Sequence, residues 1–70
     1  MLQDFIFDIE KHFDEYYPKE GCGLIGVVKG KAKWCPCKNI SKTNDTFVFD
    51  SSEYLQIAQR CDIIGVVHNH

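Results

Sequence analysis

The residues best equipped for chemistry close the sequence, where the apolar run Gly65-Val66-Val67 gives way to His68-Asn69-His70. Side chains two positions apart on a strand project from one face. A strand reaching residue 70 therefore sets the His68 and His70 imidazoles side by side, with Cα atoms roughly 6.5–7 Å apart. Two imidazoles so spaced can converge on one zinc ion at about 2.0–2.1 Å, with Asn69 turned away. The opposing reading is a pair of surface histidines, because His-x-His is a short pattern. Two ligands also fall short of the three protein ligands a catalytic zinc usually has. The letters His-Asn-His match the name of a nuclease family, but that name refers to residues spread over a ββα-metal module. An acidic chain gives it no support.

Sulfur is the other candidate chemistry. Cys22, Cys35, Cys37 and Cys61 lack the paired C-x-x-C arms of a zinc ribbon. A disulfide scaffold presupposes a secreted context, which the amphipathic, acidic start of the chain does not suggest. Free, structural thiols are the expectation. Cys35 and Cys37 share a strand face, which leaves a metal there open. Cys22 reads as a small buried residue. A Cys–His nucleophile is the alternative if its strand neighbours that of His68.

These groups need elements to hold them. Leu2, Phe5, Ile6, Ile9, Phe13, Tyr16 and Tyr17 form a helical stripe over residues 2–17, opposite Asp4, Asp8, Glu10, Lys11, Asp14 and Glu15. Pro18 stops that helix. His12, at the stripe's edge, reads as a boundary residue rather than a catalytic one. Residues 22–28 read as a buried strand, Lys29-Gly30 as a hairpin turn, and residues 31–37 as a second strand that Pro36 confines to an edge. After a polar loop (38–45), Thr46 to Phe49 reads as a third strand. Asp50 is the expected N-cap of a second helix, with Ser51 or Ser52 as alternative caps, Glu53 in the capping-box position, and Tyr54, Leu55, Ala58 and Cys61 on one face. Residues 62–68 form a last strand, apolar on both faces, which implies helices covering a sheet. Gly23, Gly26 and Gly65 fall where another group comes close to the backbone. The order is α-β-β-β-α-β, and the fold class is α/β in the broad sense (α+β), a mixed, curved sheet flanked by helices.

Seventy residues make at most one small domain, which buries only about 60% of its unfolded surface. A net charge of −2 offers no electrostatic case for nucleic acid or anionic membrane. No apolar run approaches the roughly 20 residues needed to span a bilayer, and the start lacks a signal-peptide pattern. The expected location is the cytoplasm.

Two stretches taken together, "YPKEGCGLIG" (17–26) and "VVHNH" (66–70), resemble the JAMM family of zinc metallopeptidases, in its bacterial and phage branch. "WCPCKNIS" and "FVFDSSEYLQIAQ" fit the same order between them. The resemblance implies a cytidine-deaminase-like fold, His68 and His70 as zinc ligands, and Glu20 as general base. Zinc lowers the pKa of bound water from 15.7 to about 7. A carboxylate within reach can then take the water's proton and pass it to the leaving amine. The family pattern continues with a Pro, a Ser and an Asp, the last being the third protein ligand; none follows His70 in this sequence. Asp50 is occupied as a cap, and Asp62 lies about 20 Å from His68 along an extended strand. The chain is thus expected to be the front part of one domain (1–70), binding zinc weakly and not hydrolysing peptides by itself. The resemblance further implies a peptide or protein substrate, a role in phage tail assembly with tail proteins as partners, and the host cytoplasm. The alternative is a catalytically inactive JAMM-like scaffold acting through partner contacts. An incomplete sheet would expose an apolar edge that favours self-association.

Overall fold

The computed structural model describes residues 2–69. A 3₁₀ turn, Leu2–Phe5, leads into helix α1, Ile6–Tyr16. The helix closes with the Tyr17 N–H on the Phe13 carbonyl, and Tyr17 is already extended, as its position before Pro18 requires. Ile9 is buried, Phe5, Phe13 and Tyr16 are half-buried, and Ile6 and Tyr17 are exposed.

Strands β1 (Cys22–Val28), β2 (Lys31–Cys37) and β3 (Asp62–His68) form one antiparallel sheet in the order β2-β1-β3. The α+β class therefore holds. Lys29 and Gly30 both have positive φ (52° and 79°), the signature of a type I′ two-residue hairpin turn. β1 is the central strand, and its residues Cys22 to Gly26 are all buried. The pleat gives it two different faces. Cys22 and Leu24, with Cys37 of β2, pack against Ile57 of helix α2 (Ser51–Arg60). The other face carries Ile25 and its cross-strand partner Trp34, whose ring lies 5.9 Å from that of His12 on α1.

Four expectations are corrected. Residues 46–49 do not join the sheet; the segment makes only an isolated bridge, Asn39 with Phe49. The Asn39 side chain supplies what a neighbouring strand would, donating to the Thr46 carbonyl and accepting from the Val48 N–H. Phe47 and Phe49 contribute packing instead, with their rings edge to face at 5.4 Å.

β3 is not covered on both faces. Among the described residues it pairs with β1 alone, and Ile64 and Val66 are about half exposed. A bulge opposite Ile25/Gly26 leaves Ile64 unpaired and brings Ile63 onto the core.

Asp50 caps α2 by accepting from the Ser52 N–H, but the Glu53 carboxylate reaches out to the Lys38 N–H and forms no capping box. The inward face of α2 is also rotated from the expected one. Ile57 is its buried residue, with Cys61 half-buried below, while Tyr54, Leu55 and Ala58 are exposed. Among the described residues, no helix is long and apolar enough to cross a membrane.

Candidate functional site

Glu20 lies in the short connection between α1 and β1, two residues before Cys22, and so keeps the parity of that strand's α2-side face. Across the antiparallel pair, Cys22 is the register partner of His68. The two groups therefore meet although they are far apart in sequence. Glu20 Oε1 stands 3.6 Å from His68 Nδ1, an ion-pair separation rather than a direct hydrogen bond. The Glu20 side chain is 2% exposed and that of His68 32%. An isolated loop glutamate would ordinarily be solvated; this one is buried with an imidazole facing it.

The surroundings fix both partners. Asn39, itself buried, donates from Nδ2 to the Glu20 carbonyl at 2.8 Å and accepts on Oδ1 from Ser41 and Val48. Lys19 Nζ donates to the Ser41 carbonyl at 2.8 Å, tying the loop to the same connection. Asn69 Oδ1 accepts from the Gly21 N–H at 2.7 Å, and the Asn69 N–H donates to the Gly21 carbonyl. The Asn69 side chain is thus turned onto β1's leading backbone. The Phe47 ring stacks on the His68 imidazole, with centroids 4.4 Å apart and planes 28° off parallel. From sequence, Asn69 turns away from His68 without a named partner, and Asn39 and Phe47 are not singled out. The only signal for Asn39 and Phe47 was a polar loop and an aromatic strand-like run, and neither names a contact.

His70, the second histidine of the expected pair, lies outside the described residues. The described site offers one imidazole and one carboxylate, donor types that suit zinc but too few to hold it alone. Among the described residues, no group of three or more His, Cys, Asp or Glu side chains could hold a metal. Asp50 serves as a cap, and Asp62 pairs with Val27 at the far end of β3 from His68. Neither joins the site.

The neighbouring cysteine chemistry is quiet. The strands of Cys22 and His68 are adjacent, as a Cys–His nucleophile requires. Yet burial, followed by the Glu53 and Glu20 charges, pushes the Cys22 thiol up to about 11. Its Sγ donates to the Lys38 carbonyl at 3.5 Å. A thiol so held stays protonated at neutral pH and is a poor nucleophile. Burial raises Cys37 to about 12 as well. His12 is structural: Nε2 lies 2.9 and 3.0 Å from the Cys22 and Cys37 carbonyls, which only accept, so the proton sits on that nitrogen.

No protein-family model matches the chain, and no solved structure matches it. The chain is 27% identical, over 71 aligned residues, to the tail tip assembly protein K of Escherichia phage N15. The match takes in all of this chain and 29% of that protein. The chain is therefore similar to the sequence of a phage tail assembly protein across its whole length, and spans under a third of that relative.

Proposed function

We propose that the chain is the amino-terminal part of a JAMM-type zinc-dependent peptidase or isopeptidase acting in phage tail assembly. In this reading His68 and His70 are metal ligands and Glu20 is the general base. One observation carries it: a carboxylate buried to 2% exposure faces an imidazole from the neighbouring strand at 3.6 Å. A purely structural domain has little reason to bury an acid there, since burying an ion costs several kcal/mol. The motif resemblance and the similarity to a tail tip assembly protein support the same reading.

Zinc, when bound, supplies an acidified water and polarises the scissile carbonyl. Glu20 accepts the proton at a carboxylate oxygen and returns it to the leaving amine. Asn39 and Asn69 hold the Glu20-Gly21 backbone so that this oxygen stays opposite His68. Phe47, stacked on the imidazole, restricts its rotation and keeps water from one side.

The test is made on the source reading frame with whatever residues follow position 70, measuring zinc by mass spectrometry and cleavage of tail-protein substrates. Glu20→Gln should retain zinc and lose kcat by about 10²–10⁴-fold. His68→Ala should lose the metal. A wild-type product without zinc, or a Glu20→Gln variant that cleaves normally, would sink the reading.

A second reading, an inactive scaffold that contacts tail proteins, is favoured by the half-exposed Ile64 and Val66 on β3. It predicts a product that holds no zinc and loses partner binding on Val66→Lys.

A further inference from the structure

A second cluster lies at the other end of the α2-side face. Cys35 of β2 and Cys61, the residue closing α2, line a cavity of about 220 Å³ with Val28, Lys33, Ile57 and Arg60. Both thiols are half-buried, unlike Cys22 and Cys37, which are 0% and 2% exposed. Cys61 sits over Gly26, where any Cβ would overlap its sulfur, so the bare backbone of β1 makes room for it. Its Sγ donates to the Ile57 carbonyl at 3.2 Å and shares the wall of this cavity with Cys35. The cavity wall carries two cations, Lys33 and Arg60, and the one acid nearby, Asp62, lines the adjoining groove that shares Val28, Arg60 and Cys61.

We infer that Cys35 and Cys61 form a dithiol site that closes to a disulfide by exchange with a small, carboxylate-bearing disulfide. One thiolate attacks a sulfur of the small disulfide and forms a mixed disulfide, and the first small thiolate departs. The second protein thiolate attacks the protein sulfur of that mixed disulfide, releasing the second. Two protein thiols are oxidised to one disulfide, and the small disulfide is reduced to two thiols, which take up the two protons. Lys33 and Arg60, on the cavity wall, attract the reagent's carboxylates. Burial, and after it the adjacent Cys61 thiol, holds the Cys35 thiol above its ordinary value despite Arg60 and Lys33, so exchange should keep quickening as pH rises through the ordinary thiol range.

The test incubates the full chain with oxidised glutathione in the presence of a chelator, so that metal on the histidines plays no part. Free thiols are then alkylated in denaturant and the disulfides mapped by peptide mass. The expected product has one bridge, Cys35–Cys61, with Cys22 and Cys37 alkylated. Oxidised glutathione should react on the order of 10-fold faster than the dicationic disulfide cystamine, and Arg60→Glu should erase that preference. Cys35→Ser should leave a stable glutathione adduct on Cys61. A bridge that includes Cys22 or Cys37 would overturn the inference. So would adducts that persist on the wild-type chain with the partner thiol still free, or the absence of any thiol loss.

Discussion

Burying a carboxylate as deeply as Glu20 costs several kcal/mol unless its surroundings compensate. Glu20→Gln, which removes the charge facing His68 and keeps the shape, should shift stability by no more than about 1 kcal/mol in either direction, even as it abolishes the proposed base. Urea unfolding of the variant checks this. Asn39 is the opposite case. Its side chain satisfies four backbone groups, those of Glu20, Thr46, Ser41 and Val48. Asn39→Ala should cost on the order of 3 kcal/mol, because several buried groups lose their partner together. Unfolding should also respond to alkali. Cys22 and Cys37 hold their protons to about 11 and 12 in the fold, against 9.0 for an ordinary thiol. The unfolded chain releases those protons first, so their contribution to stability is whole below pH 9 and is lost as pH climbs through 11 and 12. Each thiol adds a slope of at most about 1.4 kcal/mol per pH unit. A Cys22→Ala/Cys37→Ala variant should show a flatter decline in thermal melts. Residue types pointed to Glu20 only through motif resemblance, because a lone glutamate in a Pro-Lys-Glu-Gly turn looks like any solvated acid. Its burial follows from long-range pairing of β1 with β3, which no local pattern encodes.

The elements were legible where a periodic pattern or a turn residue fixed them. Lys29-Gly30 specified the hairpin, Pro18 the end of α1, and Asp50 the start of α2. They were misread where a side chain replaced backbone pairing, as Asn39 does beside residues 46–49, or where helix phase depended on one residue, Ile57. The run Asp-Ile-Ile-Gly-Val-Val does not say which isoleucine faces inward; the bulge decides. Ile63 packs on the core and Ile64 is 53% exposed. Ile63→Ala should accordingly cost about 2–3 kcal/mol and Ile64→Ala less than about 1 kcal/mol. Equal costs in paired denaturation curves would reject the register. The α2 cap offers a smaller check. Asp50→Ala should cost about 1 kcal/mol through loss of its bond from Ser52.

The whole molecule is a thin three-layer assembly, α1 on one side of the sheet and α2 on the other, with a single strand buried throughout its first five residues. Glu20 and His68 sit at one end of that strand, and the Cys35–Cys61 cavity lies towards the other. With one imidazole and one carboxylate described, the seventy-residue chain should gain little from zinc. A melting-temperature rise of more than a few degrees at micromolar zinc would show that His70 and its neighbours complete a site within this length. The link from Asn69 to Gly21 carries a kinetic consequence. It extends the β1–β3 ladder one step past the last residue of β3 and locks the backbone beside Glu20 into the cooperative unit of the sheet. The Gly21 amide should therefore exchange its hydrogen for deuterium only when the sheet itself opens, at the slow rate of the β1 amides rather than that of a fraying end. The acid and the imidazole then keep their spacing through ordinary thermal motion, so a ligand meets a preformed pair and closing the site costs little ordering entropy.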